Sequence, residues 1–314
     1  MFNKKQKTAV LVTPKKNRMS ACRISFILMC CAVPVISWFV FYIYANLFSF
    51  TLAFTDSESH FSLEHFIHFW EEFSSPTGEL YEAFKNTFIT FGVIFVMLPF
   101  QVLVSYFLYK KVPGHSVYRI LFFLPMIIFS VAKSLIVARM LSVTGFVAQW
   151  VQDIFNLTEV PELLADSRYA NYTVLAHYIW FNIPGDLIIW GGTFARIPPE
   201  LVESARVDGV NWWQEFTKIT VPLVWPTVAL RLVLTFCGIF SASGAVFLLT
   251  GGEFGTETIS SWQYKQLLQA SSLGPNSWVF HYMSAVGMCI TVAAITISLI
   301  IRRVTDRMFD DVEY

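Results

Sequence analysis

Charged residues are scarce in this sequence. Lysine, arginine, aspartate and glutamate make up only 14% of its 314 residues, whereas an average soluble domain carries about 25%. Hydrophobic residues reach 55%, and the chain contains 31 phenylalanines. The net charge is zero, so no overall positive field predicts a nucleic-acid partner. The composition therefore predicts a membrane protein, with the lipid bilayer as its surroundings.

Patterns for metal binding and catalysis are lacking as well. The five cysteines have none of the spacings that bind zinc or form a disulfide framework. His65 and His68 are close in sequence, but two ligands do not make a metal site. No glycine is followed by lysine, which excludes the phosphate-binding loop G-x-x-x-x-G-K-[ST]. The sequence thus predicts no enzyme activity and no cofactor bound by this chain.

Long apolar segments dominate the chain. A bilayer core about 30 Å thick requires roughly 20 apolar residues per helix. The segments are continuously apolar, which favours helices over strands. The sequence therefore predicts an all-α polytopic membrane protein with six transmembrane helices, over Ile24–Ala53, Thr87–Tyr109, Ile120–Leu141, Thr173–Ala195, Ile219–Leu249 and Val279–Ile301. Asn86 precedes the second segment as a predicted helix cap.

Basic residues are distributed unevenly between these helices. If the N-terminus is cytoplasmic, sixteen of the 22 basic residues fall inside and three outside. The positive-inside rule then predicts that both termini are cytoplasmic. The predicted parts are a basic cytoplasmic N-terminus (1–23), a first transmembrane helix (24–54), an extracytoplasmic loop (55–85), a core of five further helices (86–303) and a cytoplasmic C-terminus (304–314).

One cytoplasmic segment, "ELVESARVDGVNWWQEFTKITVPLVWP" at 200–226, is unusually charged for this chain. Pro199 suits the first turn of a helix, and Gly209 suits the left-handed conformation that ends one. Asn211, with Gln214 three residues later, is typical of a new helix start. The pattern predicts a short helix, a sharp turn and a second helix. On spacing alone, an amphipathic loop lying on lipid headgroups is an alternative interpretation.

The same segment carries a motif with fixed spacing. Its parts are Glu203-Ser204-Ala205, Gly209, Ile219 and Val221-Pro222. They resemble the signature cytoplasmic loop of permease subunits in binding-protein-dependent ABC importers, which reads E-A-A, three residues, G, nine residues, I-x-L-P. Ser204 and Val221 depart from that pattern. The stretches "RILFFLPMII" (119–128) and "LLTGGEFGTET" (248–258) resemble sugar-importing permeases in particular.

This resemblance implies a type I ABC importer permease core over 86–303, with a coupling loop at 196–218 that contacts an ATP-hydrolysing subunit. The residues expected at the contact turn are Glu203, Ser204, Ala205, Asp208 and Gly209. The resemblance further implies a second homologous permease subunit, two ATP-binding subunits and an extracytoplasmic solute-binding protein. The expected location is a bacterial cytoplasmic membrane.

Charged residues inside predicted membrane helices are costly and often functional. Asp186 and Arg231 fall near the middle of the fourth and fifth helices, where they could either form an ion pair or bind solute. Pro184 and Gly185 could open the backbone beside them. The residues predicted to touch a solute share polar or charged side chains at membrane depth: Lys133, Tyr178, Asn182, Asp186, Arg231 and Thr235.

The leading hypothesis is a permease subunit that imports a sugar or oligosaccharide. Alternative solutes are a glycerol-phosphate-like compound, an acidic sugar or a peptide. A secondary carrier is a further alternative, although such carriers usually contain inverted repeats, and the sequence shows none. A membrane-embedded enzyme would be expected to cluster His, Asp or Glu at the membrane surface, and no such cluster is seen.

Overall fold

The computed structural model describes residues 21–56, 58, 60–183, 185–241, 244–272, 274 and 277–308. Most of the predicted basic N-terminus, residues 309–314 of the predicted C-terminus and Pro184 lie outside these residues. Within them the protein is helical. Its α-helices are α1 (Ala21–Trp38), α2 (Ala45–Ala53), α3 (Glu64–Ser74), α4 (Glu79–Tyr109), α5 (His115–Ile127), α6 (Ser130–Leu141), α7 (Phe146–Phe155), α8 (Ala170–Asn182), α9 (Leu187–Phe194), α10 (Pro199–Val207), α11 (Trp212–Glu215), α12 (Val221–Cys237), α13 (Gly244–Thr250), α14 (Ile259–Ala270) and α15 (Trp278–Thr305).

The chain divides into two units, 1–51 and 52–314. In the first unit, a π-helical stretch at Phe39–Tyr44 joins α1 to α2. The resulting apolar helix, Ser25–Ala53, is long enough to cross a membrane. This agrees with the predicted first transmembrane helix.

The second unit contains three more helices that are long and apolar enough to cross a membrane, at Glu79–Tyr109, Trp212–Cys237 and Trp278–Thr305. The pair α5 and α6 also qualifies, but it is bent by 102°. The predicted all-α polytopic fold is confirmed. It differs from the prediction in that the third, fourth and fifth predicted segments are each interrupted.

Each interruption falls beside a proline or a glycine. In the third segment, Pro125 lacks a backbone N–H, and the chain is extended by Ile128, at φ −74° and ψ 129°. In the fourth segment, α8 ends at Asn182 and α9 begins at Leu187, on either side of the Pro184-Gly185 pair. In the fifth, α12 ends before Gly238, and a single 3₁₀ turn follows. Interrupted helices of this kind are typical of membrane helices that line a cavity.

Helix α4 lies at the centre of the second unit, between two clusters of buried side chains. Toward its Tyr109 end, the cluster combines Leu98, Val102 and Tyr106 with residues of α9, α10 and α12. Toward its Glu79 end, Leu80 and Ala83 pack with residues of α14 and α15. Hydrophobic burial on both sides therefore fixes α4 against its neighbours, chiefly α8, α9 and α14.

Two predicted details near the loop at 55–85 differ from the structure. Helix α4 begins at Glu79, so the end of the loop is helical and Asn86 lies inside the helix, not at its cap. The acidic first turn, with Glu79 and Glu82, favours this earlier start because it complements the positive end of the helix dipole. Helix α3 packs against α15, where His65 stacks on His281 with ring centroids 5.8 Å apart.

Candidate functional site

The predicted helix–turn–helix at the charged segment is confirmed. Helix α10 begins with Pro199 in its first turn and ends at Val207. Gly209 has φ +76°, in the left-handed region. Its N–H donates to Arg206 O at 3.1 Å, and the N–H of Val210 donates to Ala205 O at 3.1 Å. This pair of bonds is the Schellman ending of a helix, which requires a left-handed residue at the position of Gly209.

The helix after the turn begins with a complete capping box. Gln214 N donates to Asn211 Oδ1 at 2.9 Å, and Asn211 N donates to Gln214 Oε1 at 3.2 Å. These two bonds satisfy N–H groups that a helix start leaves without partners. Local hydrogen bonds therefore fix both ends of the turn, so the chain reverses direction in one defined conformation.

The predicted contact residues fall on both faces of this turn. Ala205 and Val202 are buried, and Val202 belongs to the cluster at the Tyr109 end of α4. The other four predicted residues are exposed: Glu203, Ser204, Asp208 and Gly209. The turn thus exposes two carboxylates and the backbone of Gly209 on its surface. Its apolar face packs against the helices of the buried cluster. We call 196–218 the coupling loop.

An ion pair that the sequence did not indicate anchors the coupling loop. Lys110, the residue after α4, donates from Nζ to Glu215 Oε2 at 2.6 Å. The side chains of Lys110 and Glu215 are only 17% and 6% exposed. Beside them, the rings of Tyr106 and Phe216 lie 5.0 Å apart. Because 105 residues separate the ion-pair partners, no local sequence pattern could have identified them.

The structure brings two of the predicted membrane-depth residues together. Arg231 Nε and Nη2 both lie 2.7 Å from Asp186 Oδ2. The Asp186 side chain is 9% exposed and that of Arg231 is 34% exposed. Of the two interpretations that the sequence left open, the geometry is that of the ion pair. The contact gives the guanidinium of Arg231 a carboxylate partner.

Two other predicted residues donate to backbone carbonyl groups, and a third, Tyr178, has a buried hydroxyl without a hydrogen-bond partner among the described residues. Thr235 Oγ1 donates to Arg231 O at 2.8 Å, and Asn182 Nδ2 donates to Tyr178 O at 2.8 Å. Tyr178 packs beside the buried Val174 and Val246. A residue that the sequence did not indicate, Gln101, donates from its amide to Asn182 O at 2.5 Å and so satisfies a carbonyl at the break between α8 and α9.

Lys133 lies apart from this ion pair, at a cavity of about 340 Å³ between α5, α6 and α8. Its Nζ lies 4.4 Å from the centroid of Phe181, a cation–π contact. His177 also lines the cavity and is buried, and neither ring nitrogen has a hydrogen-bond partner among the described residues. No carboxylate in the described part of the chain lies within ion-pair distance of Lys133.

Metal ligands are not gathered anywhere in the described residues: no group of three or more His, Cys, Asp or Glu could hold an ion. His65 Nε2 donates to Thr55 O at 3.2 Å, and burial lowers the pKa of the His65 imidazole. Both loop histidines contact rings of α15: His65 contacts His281, and His68 contacts Tyr282.

Comparison with known protein families matches residues 13–310 of the chain to the family described as "Binding-protein-dependent transport system inner membrane component". Among curated proteins, the osmoprotective compounds uptake permease protein GgtC of Synechocystis is 29% identical over 37% of this chain and 42% of its own length. The maltose/maltodextrin permease MalF of Vibrio cholerae is 29% identical over 54% of this chain and 34% of its own length. The chain thus spans less than half of either relative.

A longer match is to a probable ABC transporter permease of Brucella suis, which is 26% identical over 71% of this chain and 78% of that protein. Among solved structures, a chain from a bacterial ABC transporter involved in the import of the acidic polysaccharide alginate superposes with a TM-score of 0.75. That superposition covers 91% of this chain and 97% of the other at 24% identity. At that identity the similarity establishes the fold.

Proposed function

The chain belongs to the binding-protein-dependent transport system inner membrane components, a family of multi-pass membrane proteins, and we propose from this that it is the permease subunit of an ATP-driven importer. The coupling loop is the observation that carries the proposal. Its Schellman turn and capping box hold Glu203 and Asp208 at an exposed, rigid reversal. A rigid charged reversal beside apolar helices is suited to a partner outside the membrane, because rigid elements lose little entropy on binding.

The partners proposed are two ATP-binding subunits at the coupling loop, a second homologous permease and an extracytoplasmic solute-binding protein. In this arrangement the chain itself catalyses nothing, since ATP and magnesium are bound by the ATP-binding subunits. Both termini lie in the cytoplasm of a bacterium, as the charge distribution favours. Opening and closing of the ATP-binding subunits then moves the coupling loop, and with it the helices around the translocation pathway.

A sugar or oligosaccharide is the solute class that we propose. The support comes from what relatives are named for: maltose and maltodextrin in one case, and alginate in a solved structure. The mostly apolar cavity beside Lys133 offers such a solute two aromatic side chains, Trp180 and Phe181. Aromatic faces and a few polar groups are the usual composition of small-molecule sites.

Co-purification tests the importer proposal. A tagged chain, expressed with its neighbouring genes and purified in mild detergent, should bring down an ATP-binding subunit, and the complex should hydrolyse ATP. A secondary carrier would instead be purified without such a subunit and would transport with an ion gradient alone. Recovery of the chain in folded form without any ATP-binding subunit would refute the importer proposal.

An acidic saccharide is a second candidate, favoured by one observation. Asp186 neutralises Arg231, whereas Lys133 faces a cavity with no carboxylate partner in the described residues. An unpaired ammonium group at membrane depth is costly. A solute carboxylate would remove that cost.

Lys133→Met is therefore expected to reduce uptake of an oligouronate at least tenfold, while uptake of a neutral oligosaccharide of the same length changes little. The reason is that methionine fills the space but cannot pair with a carboxylate. Vesicles that contain the assembled importer, with radiolabelled solutes, provide the measurement. Arg139→Met, on the same helix near a separate surface cavity, is the matched control. An equal loss for both solutes would contradict the acidic-saccharide candidate.

A further inference from the structure

Helix α4 holds a loop at one of its ends through buried side-chain bonds. Asn86 Nδ2 donates to Gly255 O at 2.9 Å and to Glu257 O at 3.0 Å. One residue further on, Thr87 Oγ1 accepts from Ile259 N at 2.9 Å. Asn86 and Thr87 are almost completely buried. We call 251–258, which connects α13 to α14, the distal loop.

The distal loop depends on these bonds for its position. Four of its residues have positive φ: Gly251, Gly252, Phe254 and Gly255. A backbone of this kind cannot form a regular helix or strand ladder, so many of its carbonyl groups need other partners. The side-chain amide of Asn86 donates to two of these carbonyl groups. Thr87 Oγ1 accepts from the first N–H of α14. Loss of the Thr87 hydroxyl would leave the buried N–H of Ile259 without its partner, which is costly.

The opposite end of α4 holds the coupling loop in a comparable way. Lys110 and Glu215 form the buried ion pair described above, at 2.6 Å. Tyr106 packs on Phe216, and Phe107 packs on Trp212, with ring centroids 5.0 and 5.5 Å apart. The start of the second coupling-loop helix is therefore attached to the last turn of α4 by charge and by aromatic packing.

One uninterrupted helix connects these two attachments. Helix α4 continues from Glu79 to Tyr109 through Pro99, whereas the third, fourth and fifth predicted segments are interrupted. At 1.5 Å per residue, Thr87 and Lys110 are roughly 35 Å apart along its axis. A helix resists compression along its axis because its hydrogen bonds run in that direction. A shift at one end of α4 is therefore expected at the other.

From these contacts we propose that α4 couples the position of the distal loop to the position of the coupling loop. Asn86 and Thr87 are the positioning residues at one end, and Lys110 and Glu215 are those at the other. The inference rests on the proposed function in one respect: the coupling serves to link events on the far side of the membrane to the ATP-binding subunits. The coupling itself is a property of this chain.

Thermodynamic coupling is reciprocal, and this gives the test. Hydrogen–deuterium exchange is measured on the assembled complex in lipid nanodiscs. Thr87→Val should accelerate exchange of the amides at 211–216 at least threefold, and Lys110→Met should do the same at 255–259. Ser105→Ala is the matched control, because its hydroxyl is buried inside α4 without a hydrogen-bond partner among the described residues, and it should change neither segment.

Acceleration confined to the end that carries the substitution would overturn the proposal. If a variant does not assemble, the wild-type complex still decides: a non-hydrolysable ATP analogue should change exchange both at 211–216 and at 255–259. A change at 211–216 alone would overturn the coupling. Failure of the analogue to bind the complex would refute the importer proposal instead, whereas the exchange of the two variants would still report on α4.

Discussion

Gly209→Val is expected to lower solute uptake at least tenfold while ATP hydrolysis by the assembled complex continues. Gly209 has φ +76°, and a Cβ atom added to it would have no neighbouring heavy atom within 4 Å. The conflict is therefore one of backbone conformation alone. A left-handed conformation costs an ordinary L-residue about 1–2 kcal/mol, and β-branched valine is among the residues least suited to it. The turn should open, which displaces Glu203 and Asp208 from the position proposed for contact with an ATP-binding subunit.

The matched control for this prediction is Gly209→Asn, because asparagine tolerates the left-handed region better than other non-glycine residues. It should retain most of the uptake. The measurement is the ratio of solute transported to ATP hydrolysed in proteoliposomes, together with the amount of complex recovered. Wild-type uptake in the valine variant would show that the Schellman turn is not required for coupling.

Arg231→Ala is expected to reduce the amount of folded protein and its thermal stability, because it leaves the buried carboxylate of Asp186 without a partner. Breaking a buried ion pair typically costs about 3–5 kcal/mol. The lower part of that range applies here, since the Arg231 side chain is 34% exposed and remains partly solvated. Scanning fluorimetry of the purified chain or complex measures the loss of stability.

The double variant Asp186→Asn/Arg231→Gln separates the structural role of the pair from solute binding. It removes both charges but keeps side chains that can hydrogen-bond each other, so stability and uptake should largely recover. A loss of stability in the double variant equal to the sum of the losses in Asp186→Asn and Arg231→Gln alone would contradict an interaction between them. A double variant that is fully stable but inactive would assign the two residues to the solute instead.

Much of the coupling loop was predictable from the sequence. The helix beginning at Pro199, the glycine turn and the capping box of Asn211 with Gln214 all depend on residues within five positions of one another. Such signals act through the local backbone, which is why they could be identified without tertiary information. Even the exposure of Glu203 and the burial of Ala205 follow from the period of one short helix.

Asn86 shows where local interpretation failed. It precedes a long apolar segment and resembles a helix cap, but α4 begins seven residues earlier and Asn86 binds the distal loop. The same limit applied to Gln101, whose amide binds a carbonyl at the break between α8 and α9. In both cases the partner is a backbone group more than 80 residues away along the chain.

The sequence by itself determined the membrane location, the helical class and the shape of the coupling loop, because apolar length and local capping act over a few turns of chain. Only the tertiary structure decided that Asp186 pairs with Arg231, that Lys110 pairs with Glu215, and that Lys133 is left facing a cavity. The pairing of a buried charge depends on which helices pack side by side. That choice follows from the shape and burial of whole helices, not from the residues next to the charge.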